Sequence, residues 1–386
     1  MPHVTISRRG AERVRAGHPW VYQSDVVTAD AEPGDLVRVS TEQRRPVGWA
    51  LWSSSSQISL RFVSTDRDLD EATFWRDRLT AALDYRRSLA IAGNAGRLVH
   101  GEADRLPGLV VDRYGDVLVM QTLTQGTDRR LADLANTLVE LVAPRGILAR
   151  NDPKVRRLEG LDEQVAVVFG EVPDLVEVTE GAIRHDVDVR HGQKTGLFLD
   201  QRENHLAAAA YGHGRALDGF SYHGGFALQL AAACETVLAL DSSAPAVAAI
   251  AANAKRNALA NVEAREANVF DELRELEIAE QRFDTIVLDP PAFARNKSAV
   301  PRAVAGYKEI NLRAFKLLEP GGCLITCSCS YNVDEALFQD IVLDAARDAR
   351  AIVTLVEKRM QARDHPILLG VPETHYLKCL VLRKIG

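Results

Sequence analysis

The sequence predicts an α/β protein in three parts: a small β-barrel, a small α+β unit and a C-terminal doubly wound parallel sheet. Three observations carry this. At 386 residues the chain exceeds one ordinary domain. Residues 1 to 65 break into short apolar runs separated by Gly, Pro and Asp, the texture of a small all-β unit. From Asp200 onward, strand-like and helix-like stretches alternate regularly, which argues for a parallel sheet with helices on both faces.

The barrel strands are expected at Val4–Ile6, Trp20–Tyr22, Leu36–Val39, Val47–Trp52 and Ile58–Val63, with one helical stretch over Gly10–Ala16. Phe74, Leu79, Leu83 and Leu89 recur near helical spacing and predict a helix over Leu69–Ala90. Strands Arg97–His100, Leu109–Asp112 and Val117–Leu123, a helix over Asp128–Val142, and strands Gly146–Ala149 and Val165–Phe169 complete the middle unit. An alternating run, Ala182–Val189, leads into the last unit. There the strands are read at Ala216–Gly219, Val237–Asp241, near Val262, Phe283–Asp289, Gly322–Ser328, Ile352–Arg359 and Tyr376–Leu382. The domain boundaries drawn from this order are 1–68, 69–178 and 179–386.

A formal charge of −6 argues against coating nucleic acid by bulk charge, because non-specific binding rests on phosphate neutralisation. Residues 1–65 nevertheless hold eight arginines against six acids, including Arg8, Arg9, Arg13 and Arg15 on or beside the short helix. Five cysteines, odd in number and set in or beside apolar runs, do not read as a secreted disulfide framework and fit a reducing compartment. No Cys/His spacing suits zinc, so no metal is expected. With no apolar span of membrane length, the chain reads as cytoplasmic.

In an open α/β sheet, ligands bind beyond the carboxyl ends of the strands, at the point where strand order reverses. After the first strand of the last unit comes Asp218-Gly219-Phe220-Ser221-Tyr222-His223-Gly224-Gly225, whose small residues allow close backbone approach to a ligand. The second strand ends in Asp241, placed either to accept both hydroxyls of a ribose or to cap the next helix. The run Val287–Leu288 ends in Asp289-Pro290-Pro291-Ala292-Phe293, where two prolines make a rigid edge with carbonyls facing a cleft and Phe293 offers a stacking surface for a planar base. A structural turn can also use Pro-Pro, but Asp-Pro-Pro-x-Phe after a strand points to methyl transfer onto a planar nitrogenous substrate.

With these residues in hand, the chain resembles the bacterial large-subunit (23S) ribosomal RNA cytosine-C5 methyltransferases of the RlmI type, over essentially its whole length. The resemblance runs through Gly17–Tyr22, Gly101–Gly115, His191–Gly196 with Leu199–Arg202, Phe220–Phe226, Asp289–Pro291 with Phe293 and Lys297, and Ser328-Cys329-Ser330. His223 stands where the family more often has Thr, and Cys327 where it often has an aromatic. The fold implied is an N-terminal PUA domain, a central domain and a C-terminal Rossmann-like class I methyltransferase domain, with S-adenosylmethionine as cofactor and ribosomal RNA, free or in a large-subunit precursor, as partner. A homodimer is compatible with it.

The roles that follow belong to the resemblance. Cys329 matches the nucleophile that would attack cytosine C6, because a thiolate adduct makes C5 able to accept a methyl group. Asp289 would hold the cytosine N3/N4 edge, and Cys327 is read as a buried structural thiol. Gln201, Arg202, Asp218, Phe220, Ser221, Tyr222, Gly224, Gly225, Asp241, Asn268, Asp289 and Pro290 would form the cofactor site. There Gln201 and Arg202 face the methionine carboxylate, Asp218 its ammonium, Asp241 the ribose and Asn268 the adenine edge. Lys194, Phe293, Lys297, Arg8, Arg9 and Arg13 would meet the RNA. Asp364-His365-Pro366 resembles a family loop and is read as a structural turn. Two other readings stay open here: an RNA base N-methyltransferase, which needs no cysteine, and a non-catalytic RNA-binding or ribosome-assembly factor.

Overall fold

The computed structural model describes residues 2–386. By its internal contacts the chain divides into two compact units. The first comprises Met1–Val178, Val187–Leu199 and Arg363–Thr374, and the second Thr179–Asp186, Asp200–Ala362 and His375–Gly386.

The first unit opens with a six-stranded sheet of β1 (His3–Ile6), β2 (Trp20–Tyr22), β3 (Val26–Asp30), β4 (Leu36–Thr41), β5 (Pro46–Trp52) and β6 (Ile58–Ser64), in the order β2-β6-β5-β4-β1-β3. Side chains alternate across a strand, so Val4 and Ile6 of β1 and Val37 and Val39 of β4 are fully buried while His3, Thr5 and Arg38 face outward. Strand β3 escaped the sequence reading because four of its five residues are exposed, leaving no apolar alternation. Helix α1 (Arg8–Arg15), capped by Ser7, buries Ala11 and Val14 in the same core.

Helix α2 (Glu71–Ser88) leads to a five-stranded sheet of β7 (Ala95–His100), β8 (Leu109–Tyr114), β9 (Val117–Thr122), β10 (Gly146–Asn151) and β11 (Gln164–Gly170), in the order β11-β10-β9-β8-β7. Between β9 and β10 lie the one-turn helix α3 (Gln125–Asp128) and α4 (Leu131–Val142). Leu79 and Ala82 of α2 and Leu134, Ala135 and Leu138 of α4 bury against Val99, Val111 and Met120 of this sheet. The chain then runs through β12 (Val176–Glu180) and β13 (Ile183–Val187).

The second unit contains the expected doubly wound sheet. It comprises β14 (Arg215–Gly219), β15 (Thr236–Asp241), β16 (Val262–Glu266), β17 (Phe283–Leu288), β18 (Leu318–Ser328), β19 (Val353–Arg359) and β20 (Lys378–Lys384), in the order β16-β15-β14-β17-β18-β20-β19. Strands β14 to β18 are parallel, and β20 enters antiparallel to both β18 and β19. The helices α5 (Arg202–Ala208), α6 (Gly225–Leu230), α7 (Ala244–Arg256), α8 (Val269–Ile278), α9 (Val300–Leu317) and α10 (Glu335–Asp348) connect them. Strand order reverses at β14, which has β15 on one side and β17 on the other, so the ends of β14 and β17 mark the ligand crevice. Among the described residues no helix is long and apolar enough to cross a membrane.

Candidate active site

The loop leaving β14 is held in an unusual backbone. Phe220 and Tyr222 adopt left-handed φ values of 68° and 50°, and Gly224 follows at 83°. Such values in bulky residues cost on the order of 1–3 kcal/mol each and persist only where the surroundings enforce them. Here the enforcement is explicit. The Ser221 amide donates to the Leu240 carbonyl (2.9 Å), the Tyr222 amide to Asp241 Oδ2 (2.9 Å) and the Gly224 amide to the Ser221 carbonyl (2.8 Å). Asp241 also accepts from the Ser243 amide (2.9 Å), but the cap of α7 is Ser243 itself, so the helix-cap reading of Asp241 does not hold.

Asp218 lies beneath this loop, wholly buried. Its Oδ2 accepts from Ser221 Oγ (2.5 Å) and from the Ala227 amide (3.0 Å), while Oδ1 is buried with no hydrogen-bond partner among the described residues. Burial drives its carboxyl up to about 7 against the pull of the Ser221 hydrogen bond, and the negative charge of Asp289 adds to the rise. An orphaned carboxylate oxygen beside strained, close-approach backbone fits the ammonium end of a methionine-type ligand.

Below the same loop sits a buried pair that the sequence reading missed: Glu180 Oε1 and His205 Nδ1, 2.8 Å apart. Burial opposes the charge on His205, but the Glu180 carboxylate outweighs it, so the imidazole lies above its ordinary value. His205 props the loop: a Cβ on Gly225 would fall 2.3 Å from its Cε1, which explains why a glycine begins α6.

At the end of β17, Asp289 Oδ1 accepts from Gln201 Nε2 (2.8 Å), and Gln201 Oε1 accepts from Asn204 (2.6 Å). Gln201 and Arg202 are both buried. Pro290 is buried, whereas Pro291 is exposed. Phe293 packs on Tyr307 (centroids 4.7 Å apart) and Phe270 (5.9 Å), so its ring is built into an aromatic cluster and does not stand free in a cleft. Asn268 caps α8 by accepting from the Phe270 amide (3.0 Å).

Strand β18 stops at Ser328, which takes Cys329 out of the strand alternation. Cys327 is fully buried, whereas Cys329 is half-buried with its thiol 3.7 Å from the Pro290 carbonyl. Among the described residues it is the one cysteine that is not buried. Burial pushes the thiols of Cys234 and Cys323 up to about 11 and about 12, and that of Cys327 well above its ordinary value. The segment around Cys329 is tied on three sides. Ser328 Oγ donates to Tyr307 Oη (3.0 Å), Ser330 Oγ lies 2.9 Å from the same oxygen, and the Ala294 amide donates to Ser330 Oγ (3.1 Å).

Lys378 closes the third side. In β20 it stands opposite Ser328 and is 3% exposed, and its ammonium donates to the carbonyls of Ser330 (2.7 Å) and Tyr376 (2.9 Å). Burial brings it down from 10.5 to about 8, while Cys329, Asp334 and Glu335 pull the other way. A lysine inside the apolar run Leu377–Leu382 was the sequence signal for it.

The remaining expected residues lie elsewhere. Lys297 is exposed in a short turn capped by Asn296. Lys194 belongs to the first unit, with a left-handed φ of 53° and its ammonium 4.4 Å from the Phe198 ring centre. Arg8 pairs with Glu12 (2.7 Å) and Arg9 with Asp25 (2.7 Å); Arg13 reaches Asp25 at 3.8 Å and covers the Tyr22 ring. Burial acts to raise the Asp25 carboxyl, yet hydrogen bonds from Arg9 and Ser7 bring it below its ordinary value. His365 is buried, its Nδ1 2.8 Å from Asp364 Oδ1, and Asp364 Oδ2 accepts from the Arg97 amide; the loop is structural within the first unit.

Comparison with known proteins matches residues 4–65 to the PUA-like domain and residues 96–383 to the S-adenosylmethionine-dependent methyltransferase family. Ribosomal RNA large subunit methyltransferase I of Erwinia tasmaniensis is 39% identical over 378 residues, covering 95% of this chain and 96% of that protein. The protein of the same name from Aeromonas hydrophila is 41% identical over 380 residues, covering 95% of each. Among solved structures, SMU.776, a methyltransferase complexed with SAH, superposes with a TM-score of 0.85 at 19% identity, over 99% of this chain and all of that one. A Streptococcus mutans SAM-dependent methyltransferase gives 0.83 at 18%, with the same coverage; at these identities the likeness shows the fold. The chain belongs to the S-adenosylmethionine-dependent methyltransferases, in the group of ribosomal RNA large subunit methyltransferase I.

Proposed function

We propose that the protein methylates C5 of a cytosine in large-subunit ribosomal RNA, free or in a subunit precursor, through a transient bond from Cys329 to C6. The observation that carries this reading is the placement of Cys329: among the described residues the one cysteine not buried, past the end of β18, with its thiol against the Asp289-Pro290 turn at the end of β17. Its relatives' name supplies the substrate class.

S-adenosylmethionine, when bound, presents a methyl group made electrophilic by its sulfonium. For that cofactor the chain offers Asp218 toward the ammonium, Gln201 and Arg202 toward the carboxylate, Asp241 toward the ribose and Asn268 toward the adenine. The loop Phe220–Gly225 and the Asp289-Pro290 backbone form the walls. The Cys329 thiolate donates its electron pair to C6, and the C5–C6 π pair moves onto the ring, where Asp289 holds the N3/N4 edge. That pair then forms the bond from C5 to the methyl carbon as the methyl–sulfonium bond breaks, its electrons staying on sulfur as a neutral thioether. A base then takes the C5 proton, the C5–H pair becomes the new C5–C6 π bond, and the C6–S pair leaves with the sulfur as thiolate, which restores the enzyme. Lys378, anchored to the Ser330 carbonyl, holds the Cys329 segment and sets a positive charge beside a sulfur that must carry a negative one. Phe293, Lys297 and Lys194 remain proposed RNA contacts.

Cytosine-C5 chemistry predicts that RNA carrying 5-fluorocytosine traps a covalent protein–RNA adduct, because fluorine cannot leave as the proton does. Cys329→Ala should abolish both adduct and transfer. Normal turnover by that variant would overturn the carbon chemistry in favour of methylation on nitrogen. The enzyme is further proposed to be cytoplasmic, in keeping with five free cysteines, and homodimeric. For the dimer, β11 is a sheet edge with Val165, Val167, Val168 and Phe169 all exposed, a surface that a second copy would cover. Light scattering that finds only monomer at micromolar concentration would refute the dimer.

A further inference from the structure

The outward face of the barrel carries a basic concavity. Parallel pairing of β1 with β4 sets His3 beside Arg38 and Thr5 beside Ser40, all on the face opposite the core residues Val4, Ile6, Val37 and Val39. His3 Nε2 is 3.0 Å from Ser40 Oγ, so the hydroxyl row is held in place. The β4–β5 turn folds over one end: the Arg44 amide donates to the Thr41 carbonyl (2.8 Å) and the Thr41 amide to the Arg45 carbonyl (2.9 Å). Arg44 itself is forced to a left-handed φ of 59°, a conformation that arginine rarely adopts. Arg67 joins from beyond β6, and together these residues line a concavity of about 700 Å³ in which Glu42 is the one acid.

What distinguishes this concavity is its unspent charge. The side chains of Arg38, Arg44 and Arg67 make no ion pair and no hydrogen bond with any described residue. Arg8, Arg9 and Arg13 on α1, by contrast, are matched against Glu12 and Asp25. Guanidinium groups already paired to carboxylates must give up that pairing to meet a phosphate, whereas unpaired ones release only counterions. We propose that this concavity, and not α1, is the barrel's binding site for RNA phosphodiester groups: Arg38, Arg44 and Arg67 as the cationic clamp, with the Thr5, Ser40 and Thr41 hydroxyls as secondary donors. The assignment rests on the RNA-substrate reading above.

The test uses the full-length protein and protein-free large-subunit ribosomal RNA as probe, titrated by filter binding at several salt concentrations. The triple variant Arg38→Ala/Arg44→Ala/Arg67→Ala should lose about tenfold or more in affinity near 0.1 M salt, and its log K against log salt slope should flatten by about 2 if three single-strand phosphate contacts are lost. Arg8→Ala/Arg9→Ala/Arg13→Ala should lose less than about threefold under the same conditions, because Glu12 and Asp25 offset two of its three cations. Replacing the three pocket arginines by lysine should recover most of the affinity and salt slope, which a folding defect would not allow, and S-adenosylmethionine binding should be unchanged in every variant. A pocket variant that binds RNA like the wild type, or an α1 variant with the larger loss, overturns the assignment while leaving the RNA reading intact. A wild-type protein that does not bind the RNA overturns both.

Discussion

Replacing Lys378 by methionine separates the electrostatic cost of a buried cation from the hydrogen bonds it makes. Lys378 is depressed from 10.5 to about 8, chiefly by burial. At neutral pH the folded protein therefore holds this charge at a cost of about 3 kcal/mol relative to the unfolded chain, since each tenfold weakening of proton affinity is worth roughly 1.4 kcal/mol. Methionine removes that cost but strands the carbonyls of Ser330 and Tyr376, which lose donors at 2.7 and 2.9 Å. Each stranded acceptor costs about 1–3 kcal/mol, so the variant should be destabilised by only about 1 or 2 kcal/mol near neutrality. Above pH 8 the balance changes. The folded wild type sheds the proton while its unfolded chain keeps it up to 10.5, so wild-type stability rises relative to the variant by about 1.4 kcal/mol for each pH step of one across that window. Cys234 and Cys323, raised in the fold, act in the opposite direction at alkaline pH, but they act alike in both proteins and cancel in the difference. Urea unfolding at about pH 7.5 and about pH 9.5 should show the gap widening by about 2 kcal/mol in favour of the wild type. Parallel stability curves would refute the reasoning. In the same variant kcat should fall at neutral pH with cofactor affinity retained, since Lys378 acts through the Cys329 segment.

Two further perturbations address the floor of the cofactor loop. Gly225→Ala drives a methyl group to 2.3 Å from His205 Cε1; it should cost about 1–3 kcal/mol of stability by overpacking and weaken S-adenosylmethionine binding at least about tenfold. Calorimetry showing unchanged cofactor affinity would separate this loop from the cofactor. Glu180→Gln breaks the pair with His205. Glu180 lies below its ordinary 4.5 in the fold, so its contribution is complete above that value and is lost as pH falls through the lower folded one. His205 lies above its ordinary 6.5, so its contribution is complete below that value and is lost as pH rises through the higher folded one. The stability advantage of wild type over Glu180→Gln should thus peak between pH 4.5 and 6.5 in thermal unfolding, and a pH-independent difference would dismiss the pair as a charged one.

What could be read in the sequence follows the range of the interactions. The loop Asp218–Gly225 and the turn Asp289–Pro291 announce themselves because their chemistry is local: a strand end, then residues whose backbone preferences make a tight turn. A lysine in an apolar run marks Lys378 as unusual, but its role, like that of His205, comes from a partner far away in the chain. Lys378 meets the Cys329 segment only because β20 runs antiparallel to β18 and sets it opposite Ser328, a pairing across fifty residues of chain that no local pattern specifies. Phe293 shows the converse. Its position after Pro-Pro suggested a free stacking face, but Phe270 and Tyr307, delivered by α8 and α9, pack against the ring and leave it half-buried.

The arginines of residues 1–65 carry the argument about charge one step further. Counting them against acids gives a small local excess, and that count treats every arginine as equivalent. The fold does not. It brings Asp25 across to α1, where Arg9 and Arg13 share it, and it buries Arg61 against Glu159 at 2.9 Å. The pairing of β1 with β4 meanwhile leaves the guanidinium groups of Arg38 and, at the turn, Arg44 beside Arg67 with no ion pair among the described residues. Affinity for a polyanion depends on cations that have no better offer inside the protein, and for a protein of net charge −6 that number is set by pairing and not by composition. A salt titration therefore weights the unpaired subset, because those guanidinium groups can neutralise an RNA phosphate and free its condensed counterion without abandoning a carboxylate.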